Sequence, residues 1–137
     1  MEPADPELTE RVRGAAPFAG LLGIEYLAAG PDEVQSRLAW DESRCTADGI
    51  LHGGALMGLA DTAGGLLAFI NLPPGAAGTA TIESKTNFFA PVRSGHVHAV
   101  SRLLHKGKRT IVVDTELSDD DGRLVARVTQ TQAVLGT

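Results

Sequence analysis

The sequence predicts an α+β domain in which an antiparallel sheet wraps around one long central helix. The first observation is the stretch 53–70, which is apolar nearly all round and carries Asp61 as its one charged residue. The second is that two strand-like segments precede this stretch and four follow it, and the one at residues 33–40 has the apolar and polar alternation of an antiparallel strand. A chain of 137 residues can form one core but not two. We therefore expect a single domain over residues 1–137.

The elements on either side of the long helix follow from local signals. Residues 1–5 are expected to be disordered, and Pro6 is expected to open a short helix that runs through about Ala16. We expect Phe18, Leu21 and Leu22 to form a packing anchor before the first strands. The strands are predicted at residues 24–28, 33–40, 80–89, 95–104, 110–118 and 123–134, with a loop over 41–51. The last four strands are expected to form an antiparallel meander.

Composition and charge exclude several classes of function. A net charge of −5 argues against general binding to nucleic acid. The single Cys45 excludes an internal disulfide and fits a reducing compartment. The N-terminus has no basic region followed by an apolar one, as a signal peptide would have, and the apolar stretch 55–70 is too short and too rich in glycine for a membrane span. We expect a cytoplasmic protein that binds no membrane.

The start of the long helix and its one carboxylate form the strongest candidate site. His52 is followed by Gly53 and Gly54, whose backbone N–H groups would be exposed where the helix begins. Seven residues separate Gly54 from Asp61, about two helical turns, so both lie on one face. Amide groups could hold a carbonyl oxygen while the carboxylate handles the attack, with His52 shaping the loop. The pattern therefore favours acyl-transfer chemistry.

The role of Asp61 has two open alternatives. A partly desolvated carboxylate gains basicity and nucleophilicity. Asp61 could activate water as a general base or attack a thioester directly. Thr81, in the first strand after the helix, could position the water or orient Asp61, although threonine is also an ordinary strand residue. We expect the acyl group to lie beside Met57, Gly58 and Leu59.

Basic residues and histidines mark further candidate positions. Lys106, Lys108 and Arg109 surround a predicted turn, and Arg93 ends the preceding loop, so these cations could hold the phosphates of a nucleotide-bearing thiol. His96 and His98 project to one strand face, but no further ligand completes a metal site. We therefore expect neither a metal nor a cofactor.

The segment from His52-Gly53-Gly54 to Asp61 resembles the hotdog-fold acyl-CoA thioesterases of the phenylacetic acid degradation type. The similarity extends over nearly the whole domain, including segments 18–25, 86–93 and 106–109. It implies the hotdog fold, hydrolysis of an acyl-CoA to free acid and coenzyme A, and Asp61 as the catalytic carboxylate. It also implies that the Gly53 or Gly54 amide polarises the thioester carbonyl and that Thr81 assists the water. Members of the family are typically homotetramers built from two hotdog dimers, with active sites at the dimer interface.

One position departs from this family pattern. Relatives often carry Asn or Gln six residues before the histidine, where its amide helps hold the water or the carbonyl, and this chain has Thr46 there. Two alternatives to an acyl-CoA thioesterase stay open. One is an acyl-carrier-protein thioesterase, which would need less contact with a nucleotide, and the other is a non-catalytic acyl-CoA-binding domain, which Thr46 favours. A hotdog dehydratase is less favoured, because such enzymes generally place a catalytic His–Asp or His–Glu pair differently.

Overall fold

The computed structural model describes residues 1–136, which form three α-helices and one six-stranded sheet. The helices are α1 (Pro6–Ala15), α2 (Pro17–Leu22) and α3 (Gly53–Ile70), and the strands are β1 (Glu25–Ala29), β2 (Glu33–Ala39), β3 (Gly78–Phe88), β4 (His96–Lys106), β5 (Thr110–Ser118) and β6 (Leu124–Leu135). The predicted bounds of the long helix and of β5 are confirmed, and the other predicted bounds differ by one or two residues.

The sheet is antiparallel throughout and has the strand order β1-β2-β4-β5-β6-β3. The predicted meander is wrong in one connection, because β3 lies at the far edge of the sheet and pairs with β6 instead of β4. The other side of β4 is occupied by β2. The link from β3 to β4 covers residues 89–95 and is longer than a tight hairpin turn, so it can cross to the far edge.

The core lies between α3 and the concave face of this sheet. From the helix, Leu59, Ala63 and Leu67 are fully buried, and they belong to one apolar cluster with inward-facing residues of the sheet such as Val97 and Val113. Burying each of these leucines contributes about 1.5–3 kcal/mol. Within the described chain, α3 is the one helix long and apolar enough to cross a membrane, and in this fold it is the core helix.

The opposite side of α3 is not covered within the protomer. Asp61 is exposed, and so are Met57, Phe69 and Ile70, which have between 37% and 60% of their surface accessible. A helix that is apolar nearly all round is expected to be buried rather than to lie on a surface, and in the isolated chain this expectation is wrong for one side of α3. Edge strand β3 is exposed along most of its length as well, including Ile82.

The N-terminal segment differs from its expected form. Residues 1–5, expected to be disordered, contact the sheet: the Asp5 N–H donates to the Tyr26 carbonyl at 2.8 Å, and Arg37 donates to the Glu2 carbonyl. The Asp5 side chain also caps α1 by accepting from the Leu8 N–H. The predicted packing anchor is the short helix α2. There, Phe18 and Leu21 are exposed, while Leu22 is partly buried against the core.

Candidate functional site

The start of α3 presents one capped amide and one free amide. His52 is the N-cap residue, and its Nδ1 accepts the Gly54 N–H at 2.8 Å. Gly53 is the first helical residue, so its N–H has no acceptor inside the helix, and no hydrogen bond from it is found in the described chain. A Cβ on Gly53 would lie 3.0 Å from the Phe88 ring. Glycine at this position therefore leaves an accessible N–H group beside an aromatic wall.

Asp61 is held by Thr81, which sequence reasoning singled out as its neighbour. The Thr81 hydroxyl donates to Asp61 Oδ1 at 3.1 Å, across the space between α3 and the edge strand β3. Asp61 Oδ2 has no hydrogen-bond partner among residues 1–136. One oxygen of this exposed carboxylate is thus held by Thr81, and the other is unpaired within the described residues.

Two buried glutamines behind Thr81 were missed by sequence reasoning. Gln132 Nε2 donates to Thr81 Oγ1 at 2.6 Å and to Gln130 Oε1 at 2.8 Å. Gln130 Nε2 in turn donates to the Ala60 carbonyl at 3.0 Å. Both glutamines project inward from β6, at positions that continue the buried pattern of Val128. Two polar residues on the inward face of a strand are the signal that could have identified them.

A pocket of about 340 Å³ adjoins the start of α3. Its lining includes Thr46, Gly53, Leu56 and Phe88, and most of its wall is apolar. It does not include Met57, Gly58 or Leu59, beside which the acyl group was expected. Leu59 is fully buried in the core, and a Cβ on Gly58 would meet the side chains of Leu22 and Phe18 within 3.0 Å, so neither residue offers an open wall.

The Gly53 amide and the Asp61 carboxylate do not meet within one protomer. Eight residues of α-helix place them about 12 Å apart along the axis, whereas two groups that contact one reacting carbonyl must each lie within about 3 Å of it. The idea that one helix brings both groups to the same carbonyl therefore fails for the isolated chain. The pocket near Gly53 and the Asp61 carboxylate are therefore separated within the isolated chain.

The predicted basic residues are exposed but are not gathered in one place. Lys106, Lys108 and Arg109 lie at the β4–β5 turn, in register with the Thr81 end of the sheet. Arg93 lies beyond the other end of β4, where it donates to the Asp48 carbonyl at 3.1 Å. The length of β4 separates the two groups by roughly 30 Å. A single chain therefore does not place these four basic side chains around one ligand.

His96 and His98 contact one carboxylate on the outer face of the sheet. His98 Nε2 lies 2.7 Å from Asp120 Oδ1, and the His96 N–H donates to Asp120 Oδ2 at 3.2 Å. The hydrogen bond from His98 lowers the pKa of Asp120 below its usual value. Within residues 1–136, no group of three or more His, Cys, Asp or Glu side chains is placed to hold a metal ion.

The chain is similar to thioesterases in both sequence and structure. Residues 48–126 match the family described as the thioesterase superfamily. The chain is 30% identical over 122 residues to 1,4-dihydroxy-2-naphthoyl-CoA hydrolase of Escherichia coli (strain K12), with 89% of each chain covered. It is 30% identical over 115 residues to the proofreading thioesterase EntH of Cronobacter turicensis, covering 84% of this chain and 83% of the relative.

Among solved structures, that of a mutant of thioesterase PA1618 from Pseudomonas aeruginosa superposes with a TM-score of 0.87. The two sequences are 29% identical, and the match covers 94% of each chain. The resemblance to hotdog-fold thioesterases and the predicted wrapping of a sheet around one helix are both confirmed. The chain therefore belongs to the thioesterase superfamily and has its hotdog fold.

Proposed function

We propose that this protein is an acyl-CoA thioesterase of the phenylacetic acid degradation type, which hydrolyses an acyl-CoA to free acid and coenzyme A. The observation that carries the proposal is the geometry of Asp61, an exposed residue whose Oδ1 accepts a hydrogen bond from Thr81 while Oδ2 has no partner in the described residues. A carboxylate fixed at one oxygen is suited to take a proton from water or to attack a carbonyl carbon. Both roles stay open, and neither needs a cofactor.

The polarising group in this mechanism is the Gly53 amide. Its N–H has no other acceptor in the described chain and lies at the positive end of the dipole of α3. A thioester oxygen placed against it would gain a hydrogen bond that strengthens as negative charge develops. The Gly54 amide is already bound by His52, so Gly54 and His52 serve to shape the turn. The apolar pocket beside Leu56 and Phe88 would take the acyl group.

Two copies of the chain are needed to complete the site. The free edge of β3 is long and exposed, and Ile82, Met57 and Phe69 form apolar surface on the same uncovered side. Antiparallel pairing of two β3 strands would set the two α3 helices side by side in opposite directions. Gly53 of the partner subunit would then approach Asp61. We propose this dimer as the active unit and, by resemblance, a tetramer of two such dimers.

The same pairing would bring together the separated cations. Arg93 lies at the Gly53 end of the protomer, and the β4–β5 turn lies at the Asp61 end, so each site would receive cations from both subunits. Coenzyme A carries phosphates that these side chains would hold. The E. coli relative acts on a CoA ester by its name, which supports the same substrate class here. The free thiol of Cys45 fits a cytoplasmic location.

The test compares free-thiol release by the wild type and by Asp61→Asn from a panel of phenylacetyl-, benzoyl-, short- and medium-chain acyl-CoAs. We expect Asp61→Asn to lose at least about 100-fold in kcat, because the amide retains the shape but cannot take a proton or attack. Asp121→Asn is the matched control, since Asp121 is an exposed carboxylate in the β5–β6 turn. Near-normal turnover by Asp61→Asn would refute the mechanism.

Thr46 favours a second candidate, a non-catalytic acyl-CoA-binding domain. Thr46 is exposed at the pocket beside Gly53, where it supplies a hydroxyl in place of an amide group. Saturable binding of acyl-CoA without thiol release from any ester would support this candidate. Hydrolysis of acyl-carrier-protein esters alone would instead indicate an acyl-carrier-protein thioesterase.

A further inference from the structure

We infer that Gln132 is a positioning residue that acts through Thr81 to hold Asp61 in its reactive orientation, an inference that rests on the proposed function. Gln132 does not touch Asp61. It is buried on β6, with 2% of its surface accessible. Its hydrogen bond to Thr81 is the shortest in the series of hydrogen bonds that runs from Asp61 to the core. The direction of each hydrogen bond in this series can be assigned from the chemistry of the groups alone.

The direction is fixed at the buried end of the chain. The Ala60 carbonyl only accepts, so Gln130 must present its Nε2 to it and its Oε1 to Gln132. Gln132 must then present its NH₂ group to Gln130. The second hydrogen of the same NH₂ group points to Thr81 Oγ1 at 2.6 Å, and Gln132 Oε1 accepts from the Thr79 hydroxyl at 2.9 Å. Every atom of the Gln132 carboxamide is thereby used.

This arrangement decides what the Thr81 hydroxyl does. Because one of its lone pairs receives the Gln132 N–H, its own hydrogen is directed to Asp61 Oδ1. Thr81 therefore acts as a donor to the ionised carboxylate. Without Gln132, the hydroxyl could rotate and either leave Asp61 or accept from water. The orientation of the Asp61 carboxylate would then no longer be fixed.

The chain of hydrogen bonds also ties α3 to the sheet at the residue before Asp61. It starts at the Asp61 side chain, passes through Thr81, Gln132 and Gln130, and returns to the backbone carbonyl of Ala60. A closed circuit of this kind fixes the distance between the helix and β3 as well as the angle of the carboxylate. Ile82, directly after Thr81, lies at an irregularity in the register with β6, which adjusts the direction of the strand at this point.

The test is the kinetics of Gln132→Met, which retains the length of the side chain but neither donates nor accepts through an amide. We expect kcat to fall about 10- to 100-fold with KM nearly unchanged, since substrate contacts stay and the carboxylate loses its alignment. Thr115→Val is the control, since it removes one hydroxyl of the buried Ser101–Thr115 hydrogen bond elsewhere in the core. It should leave kcat and KM unchanged.

A double-mutant cycle separates positioning from a general effect on folding. In the Thr81→Val background, Gln132→Met should change kcat less than about twofold, because the path to Asp61 is already broken. If Gln132→Met does not fold, Thr81→Val on the exposed strand β3 must by itself reproduce the loss of kcat with KM nearly unchanged. An active wild type that depends on Asp61, together with full kcat in Gln132→Met or Thr81→Val, overturns this inference alone. A wild type that hydrolyses no thioester overturns the proposed function and this inference with it.

Discussion

At the scale of single residues, the absence of one methyl group makes the buried circuit possible. A Cβ on Gly64 would lie 1.9 Å from Gln130 Nε2, so only glycine lets that carboxamide approach the helix and reach the Ala60 carbonyl. Gln130 is fully buried and hydrogen-bonded at both of its polar atoms, so it has no open direction in which to retreat. Gly64 therefore serves as a site of close approach between the core helix and β6, despite its low helix propensity.

Gly64→Ala tests this close approach between α3 and β6. We expect a loss of about 1–3 kcal/mol in the free energy of unfolding, measured by urea denaturation, because the added methyl overpacks the core against Gln130. Gly14→Ala is the matched control, since it adds the same methyl in α1 with no atom within 4 Å, and it should be neutral or stabilising by up to about 1 kcal/mol. Equal stability of the two variants would show that Gln130 is free to move.

The residues that could be predicted from the sequence are those joined by local spacing. His52, Gly53 and Asp61 lie within ten positions of one another on or beside one helix, so their relation follows from helical geometry. The position of Thr81 in the strand after the helix indicated that its hydroxyl could orient Asp61, and the structure places the two in contact. Gln130 and Gln132 could not be placed, because the sequence does not state which strand pairs with which. Only the pairing of β3 with β6 sets Gln132 opposite Thr81.

At the scale of secondary-structure elements, the position of β3 in the sheet is the part of the fold that could not be predicted from the sequence. Its own residues predict a strand, and the six strands and the long helix all follow from periodicity and from glycine and proline signals. The strand that pairs with β3 depends on the connection that crosses to the far edge of the sheet. No local sequence pattern predicts that crossing. The same limit applies to the exposed side of α3, since an apolar helix surface predicts burial but not the molecule that provides it.

The β4–β5 turn carries the prediction that separates CoA esters from carrier-protein esters. Replacing Lys106 and Lys108 by Gln should raise KM for an acyl-CoA about tenfold, equivalent to about 1.4 kcal/mol of binding, because phosphate contacts are lost while the reacting groups are unchanged. The double variant Arg11→Gln/Arg123→Gln makes the same change in net charge at exposed positions in α1 and the β5–β6 turn. It should leave KM unchanged. An unaltered KM in the lysine variant would instead favour the acyl-carrier-protein alternative.

At the scale of the whole molecule, the uncovered edge and the divided site lead to the same requirement for a second copy. The Gly53 amide and the Asp61 carboxylate are about 12 Å apart on α3, and several exposed apolar residues, including Ile82, Met57 and Phe69, lie on β3 and on that helix. The separation follows from helical spacing, whereas the uncovered surface could not be derived from composition because it depends on where the sheet ends. Together they make the oligomeric state a condition of activity in the proposed mechanism.

Ile82→Lys tests this requirement. A charged side chain on the free edge strand should prevent β3 from pairing with a second copy. We expect light scattering after gel filtration to show a shift from the oligomer to the monomer, and thiol release to fall at least about 100-fold although Asp61 and Thr81 are intact. Leu104→Lys is the control, because Leu104 is similarly exposed, 60% against 63%, and also lies at a register irregularity, but on the interior strand β4. It should leave the β3-paired dimer intact, and a fully active monomeric Ile82→Lys protein would refute the shared site.

The positions of Gly53 and Asp61 on α3 limit how the sequence of this helix can change. In the proposed dimer, the amide at its first residue serves one active site and the carboxylate eight residues later serves the other. A substitution that tilts or shifts the helix would therefore alter both sites at once, one through the group that holds the oxygen and one through the group that attacks. The two active sites of the dimer therefore cannot change independently. Selection on inherited substitutions in this helix would act on their combined effect at both sites.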